Sequence, residues 1–245
     1  MNLSYKPYLQ EISFCKEDVP DDGIYPFNIP AVHQLDSLRF HPDVTFLVGE
    51  NGSGKSTLLE AIALNLGLGA EGGTKNTQFQ TANTVSPLHS HLQLVKSYRM
   101  PKDYYFLRAE SFYNVATHMD NIGYLDGYGG KSLHMQSHGE SFMALLTTKF
   151  RGAGLYLLDE PEAALSPNRQ LAALVAINQL VEDDSQFIIA THSPILLSYP
   201  RAKIMLLDEN GITEVKYEDT EHYAVSRDFL NNYHRRLEVL FKDDN

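Results

Sequence analysis

An apolar run, Thr45-Phe46-Leu47-Val48, stops at Gly49 and gives way to Glu50-Asn51-Gly52-Ser53-Gly54-Lys55-Ser56-Thr57. A helical pattern, Leu58-Leu59-Glu60-Ala61-Ile62-Ala63-Leu64, follows at once. The spacing G-x-x-x-x-G-K-[ST] falls on Gly49, Gly54, Lys55 and Ser56, and a strand before and a helix after are the context a phosphate-binding loop needs. Glycines let the backbone curl so that successive N–H groups point inward, and the helix presents its positive end to the same anion. Lys55 is expected to reach the β- and γ-phosphates of a triphosphate, and the Ser56 hydroxyl to sit on Mg²⁺. Glu50, Asn51, Gly52, Ser53 and Thr57 complete the cradle.

Composition narrows the setting. The 245 residues, 43% hydrophobic and 21% charged, suit a folded chain with a sizeable core. A single cysteine, Cys15, excludes an intramolecular disulfide framework and fits a reducing, cytoplasmic compartment. Met1–Gln10 shows no signal-peptide pattern, and no apolar run reaches membrane-spanning length. A formal net charge of −11 argues against a broad basic surface for nucleic acid, though not against a local groove.

Along the chain, residues 1–45 read as β-rich with irregular connections, and the prolines in Tyr25-Pro26-Phe27-Asn28-Ile29-Pro30 exclude a central strand there. Tyr5, Tyr8 and Tyr25 are candidates to stack on a base. Strands are expected at 44–48, 92–95, 104–107, 155–159, 187–190, 204–207 and 212–217. Helices are expected up to about Leu66, from about Glu140 to Phe150, through Leu171, Leu174, Val175, Leu180 and Val181, and in the tail, where Phe229, Leu230, Leu237 and Leu240 are anchors. Buried strands alternating with helices define an α/β fold with a largely parallel central sheet flanked by helices.

The strand Leu155-Tyr156-Leu157-Leu158 delivers Asp159 and Glu160 at its C-terminal end, where open α/β sheets bind ligands. Asp159 is placed to hold Mg²⁺ beside Ser56. Glu160 is placed to polarise an attacking water as general base. His192, in Thr191-His192-Ser193-Pro194, follows another strand and can hydrogen-bond a γ-phosphate as a neutral imidazole near pH 7. Ser137 and Gly139, in Gln136-Ser137-His138-Gly139-Glu140, offer a second anion contact; taken alone, the same residues make an ordinary helix N-cap. His89, His91, His118, His134 and His138 match no common zinc spacing.

These elements, in this order, resemble the nucleotide-binding domain of the ABC superfamily, and in particular the small ABC/SMC-like soluble ATPases. The resemblance rests on Gly49–Thr57, the signature-like Ser137-His138-Gly139-Glu140, Asp159-Glu160-Pro161-Glu162, the D-loop-like Ala163-Ala164-Leu165-Ser166 and the switch Thr191-His192-Ser193. It implies one ATPase domain over 1–245, with an N-terminal antiparallel β portion and a short insertion at about 74–136. It also implies ATP and Mg²⁺ as ligands, and a head-to-tail homodimer in which Ser137 and Gly139 of one copy close on the γ-phosphate held by the other. The catalytic set is then Glu160, His192 and Lys55. The glutamine that the family places on the metal has no obvious counterpart; Glu110, after the strand Tyr104–Leu107, stands in its place, with Gln78 and Gln80 as rivals. The signature departs from the usual L-S-G-G-Q, with His138 for its first glycine and Glu140 for its glutamine.

Function therefore reads as a cytoplasmic, soluble ATPase whose dimerisation drives work on a DNA or protein partner. Alternatives are the ATP-binding subunit of a transporter, which the short middle segment disfavours and co-purification with a membrane subunit would revive, and an ATP-sensing regulatory or defence subunit.

Overall fold

Apolar runs bounded by glycine and acidic turns form the centre of the computed structural model, which describes residues 6–19, 23–75, 86–109, 111 and 138–242. Strands β1 (Leu9–Phe14), β2 (Ser37–Arg39) and β4 (Leu92–Lys96) make a small antiparallel sheet in the order β2-β1-β4. The larger sheet runs β5 (Asp103–Arg108), β6 (Gly154–Asp159), β7 (Gln186–Ala190), β3 (Val44–Val48), β8 (Ala202–Asp208), β9 (Gly211–Val215). All its neighbours pair in parallel except β8 with β9, which is an antiparallel hairpin across Glu209-Asn210.

β3, β6 and β7 are buried along their whole length, which explains their unbroken hydrophobicity. Alternate residues feed two cores. Phe46, Leu158 and Ile189 face helix α3 (His138–Ala144) and helix α4 (Pro167–Glu182). Leu47, Leu157 and Ile188 face helix α2 (Lys55–Asn65) and the small sheet. Shorter helices α1 (Pro30–His33) and α5 (Pro194–Leu197) flank the P-loop side, and α6 (Glu221–Leu240) closes the described chain. Fully buried Gln186 ties the sheets together: Leu9 N–H donates to its Oε1, and its Nε2 donates to the carbonyls of Leu9 and His41.

Two helix readings need correction in part. The helix expected through Leu171, Leu174, Val175, Leu180 and Val181 is α4, and Leu180 and Val181 lie in its buried stripe with Ala173, Ala176 and Ile177, but Leu171 and Val175 are 53% and 59% exposed. Small alanines hold the places in the core that the two larger side chains suggested for themselves. In α6 no residue is buried; Phe229, Leu230 and Leu240 are exposed, so among the described residues they anchor nothing. Within the expected insertion, residues 86–109 supply β4 and β5, and 76–85, 110 and 112–136 lie outside the described residues. No helix among the described residues is long and apolar enough to cross a membrane.

Candidate functional site: a P-loop facing two strand-end carboxylates and a histidine pair

Parallel pairing sets the site. β3, β6 and β7 lie side by side and point the same way, so the residues that follow them converge at one edge. These are Gly49–Ser56, Asp159-Glu160 and Thr191-His192.

The loop leaves β3 through glycines with left-handed backbone, φ +146° at Gly49, +82° at Gly52 and +99° at Gly54. A Cβ on Gly49 would lie 2.2 Å from the Leu207 carbonyl oxygen, whereas at Gly52 nothing lies within 4 Å. Gly49→Ala is therefore expected to cost on the order of 3 kcal/mol, from overlap added to strain, and Gly52→Ala only about 1 kcal/mol from strain. Urea unfolding of both variants measures the difference.

Lys55 opens α2 with its ammonium turned back into the loop, donating at 2.8 Å to each of the Gly49 and Glu50 carbonyls. Burial lowers its pKa, and Glu160, Asp159 and Glu162 oppose that. The Ser53 hydroxyl is buried and, among the described residues, has no hydrogen-bond partner. An orphaned hydroxyl inside a glycine-rich curl is what an incoming phosphate oxygen would satisfy. Beside the loop is a cleft of about 400 Å³ lined by Tyr25, Ile29, Gly52, Lys55, Thr57 and Glu160. The Tyr25 ring is exposed and its hydroxyl lies 3.0 Å from Thr57 Oγ1, while Tyr8 is buried in the core and Tyr5 lies outside the described residues. Of the two described tyrosines, Tyr25 is the one at the site.

Asp159 ends β6 and accepts a hydrogen bond from Ser56 Oγ at 3.0 Å, joining the two expected metal-holding residues directly. Glu160 follows in a left-handed conformation (φ +49°), held by its N–H to the Ala190 carbonyl at 2.9 Å. Such a backbone is uncommon for a non-glycine residue and costs on the order of 1–2 kcal/mol; here it turns the carboxylate to the P-loop cleft. Glu160 Oε1 lies 3.7 Å from His192 Nε2, a buried nitrogen with no hydrogen bond among the described residues.

The switch segment is braced from behind. Glu162 accepts from the His192 N–H and from the Thr191 side chain, and its burial raises its pKa. Ser193 Oγ accepts from Ile195 and Leu196 N–H, capping α5, and donates to Gln170 Oε1. On its other side His192 Nδ1 meets His222 Nε2 at 2.8 Å. Neither Glu162 nor His222 stood out in the sequence. Glu162 carried a signal, the second carboxylate of Asp159-Glu160-Pro161-Glu162; His222 carried none.

Gly139 is buried, and a Cβ there would meet Arg169 Nη1 at 2.4 Å and the Ala164 carbonyl at 2.7 Å. The signature-like glycine thus sits against its own D-loop-like turn, and the cleft beside the P-loop is lined without it. Ser137, Glu110 and the rivals Gln78 and Gln80 lie outside the described residues. Among the described residues no group of three or more His, Cys, Asp or Glu could hold a metal ion.

Burial pushes the His192 imidazole down, with Lys55 adding to the effect and Glu160 opposing it. Burial pushes His222 down too, with His192 and Lys55 adding and Glu221 and Glu162 opposing. Each ring holds its proton less tightly in the fold than in the unfolded chain, which takes up protons below about pH 6.5. Their contribution is complete above that pH and is lost as pH falls toward the native values. Glu162, with its raised pKa, acts in the opposite sense. A fall in Tm between pH 7.5 and about 5.5 is therefore expected. A His192→Gln/His222→Gln variant should lose less Tm over the same interval than the wild type.

Two family models match: one described as "AAA domain" over residues 26–104, and one described as "AAA domain, putative AbiEii toxin, Type IV TA system" over 126–198. With the parallel sheet and the strand-end site, these matches make the chain similar to ABC-type ATPase nucleotide-binding domains. It is 29% identical over 223 residues to an uncharacterized ABC transporter ATP-binding protein of Haemophilus influenzae, covering 79% of this chain and 80% of that protein. It is 24% identical over 233 residues to Protein McbF of Escherichia coli, covering 90% and 92%. Among solved structures it is similar to cbiO1 from Clostridium perfringens, part of the ABC transporter complex cbiONQ, at 16% identity and TM-score 0.45, covering 83% of this chain and 91% of that one.

Proposed function

We propose that the chain is the ATP-hydrolysing subunit of an ABC-type machine in which two copies close head-to-tail over ATP and Mg²⁺. The observation that supports this best is the direct Ser56–Asp159 contact beside Lys55, with Glu160 and His192 at the same edge. Lys55 would exchange its contacts with the Gly49 and Glu50 carbonyls for β- and γ-phosphate oxygens. Ser56 and Asp159 are hard oxygen donors suited to Mg²⁺, with Glu110 as a further candidate; the ion would supply charge neutralisation at the β- and γ-phosphates. Glu160 takes a proton from the attacking water, and His192 steadies the γ-phosphate. Ser137 and Gly139 of the second copy complete the site. The whole chain, 1–245, acts as one ATPase domain with its insertion near 74–136.

The name of the Haemophilus influenzae relative favours a transporter-type assembly over the DNA-associated role that the SMC-like resemblance suggested. The favoured partner is accordingly a membrane subunit, with this chain at the cytoplasmic face. The toxin-type family model supports a second reading, an ATP-sensing defence subunit with a protein partner. Phosphate release with Mg²⁺, with EDTA, and with added duplex DNA tests the proposal. Mg²⁺-dependent turnover indifferent to DNA is expected. Absence of turnover with Mg²⁺ would contradict the hydrolytic role, and stimulation by DNA would restore the DNA-associated reading.

A further inference from the structure

His222 is the second residue of α6, outside every motif of the site. Its Nε2 lies 2.8 Å from His192 Nδ1, with ring centroids 5.0 Å apart. Two imidazole nitrogens at that separation share one proton, because two N–H groups would collide and two lone pairs would repel. Whichever nitrogen donates therefore fixes the tautomer of the other ring. On its far side His192 Nε2 is buried, has no hydrogen bond among the described residues, and is 3.7 Å from Glu160 Oε1. Both a carboxylate and a fully ionised phosphate oxygen only accept hydrogen bonds, so Nε2 serves either one only when it carries the proton. That leaves Nδ1 bare, with His222 as the donor.

We propose that His222 is a positioning residue, donating its Nε2 proton to His192 Nδ1 and so holding His192 as the Nε2–H tautomer aimed at the γ-phosphate and Glu160. The start of α6 is built to hold that contact. Thr220 caps the helix by accepting from Tyr223 N–H, and Tyr217 Oη donates at 2.8 Å to the Pro194 carbonyl, two residues beyond the switch histidine. Lys55, Glu160, Glu162 and Glu221 are the charged groups that act on the pair. Burial, the largest influence on both rings, disfavours a second proton on the pair.

This proposal rests on the ATP-hydrolysing reading of the P-loop. The test uses the full chain labelled with ¹⁵N-histidine, together with ATPase kinetics. In the wild type at pH 7.5, the His192 ¹⁵N shifts should report a protonated Nε2 and a bare Nδ1. His222→Phe should lower kcat on the order of tenfold, the worth of one hydrogen bond to a charged group, with ATP Kd changed by less than about twofold. His222→Gln, whose amide can donate, should recover most of the rate. On a His192→Ala background His222→Phe should cost nothing further. A protonated Nδ1 on His192 in the wild type, an unchanged kcat in His222→Phe, or an equal loss on the His192→Ala background would each overturn the proposal. Should His222→Phe fail to fold, His222→Gln and the wild-type spectrum decide. Lys55→Ala in the same series separates the two failures. If it abolishes turnover while His222→Phe is silent, only the positioning role falls; if it leaves turnover intact, the ATP-hydrolysing reading falls.

Discussion

Glu160→Gln is expected to reduce ATP turnover by about 100-fold or more while leaving ATP binding within about twofold of wild type. The carboxylate is the exposed general-base candidate at this edge, next to the buried His192 Nε2 and within the P-loop cleft. An amide of nearly equal volume keeps the side-chain shape but cannot accept the proton of the attacking water. The backbone contact that sets its left-handed turn, from its own N–H to the Ala190 carbonyl, involves no side-chain atom and survives the change. A phosphate-release assay beside a binding isotherm measures both quantities. Loss of binding together with turnover would assign Glu160 to ligand affinity and not to proton transfer.

Lys55→Ala should act one step earlier, on binding. Its ammonium is buried at the head of α2 and holds the Gly49 and Glu50 carbonyls, contacts that a triphosphate would replace with charged oxygens. Hydrogen bonds to charged groups contribute about 1.5–3 kcal/mol each, so losing two weakens ATP binding by roughly two to four orders of magnitude. The two carbonyls can turn to water in the adjoining cleft, so stability should change much less than affinity. Calorimetric titration with ATP and a thermal melt of the same sample test both halves.

The site's main chain was legible because its chemistry is local. Gly49–Ser56, Asp159-Glu160 and His192 each follow a run of apolar residues, and such runs end where parallel strands end. What remained hidden depends on partners far apart in the chain. The order β5-β6-β7-β3-β8-β9 sets the neighbours of β3, and no periodicity within a single strand encodes it. Glu162 gains its role only when the short turn Pro161–Ala164 after β6 reaches the His192 N–H, and His222 only when α6 begins beside the switch. On α4 the expected Leu180 and Val181 are buried, but Leu171 and Val175 are exposed because small alanines, Ala173 and Ala176, take their places in the core. In α6 the apolar spacing was real, but no element among the described residues covers it. Tyr25 and Tyr8 were equivalent in sequence, and only the burial of Tyr8 and the contact of Tyr25 with Thr57 separate them.

Light scattering on Glu160→Gln, with and without ATP and Mg²⁺, tests most directly whether two copies close over the nucleotide. The account predicts one chain mass without nucleotide and twice that mass with ATP, persisting because hydrolysis is blocked. A particle that stays at one chain mass while ATP is bound would contradict it.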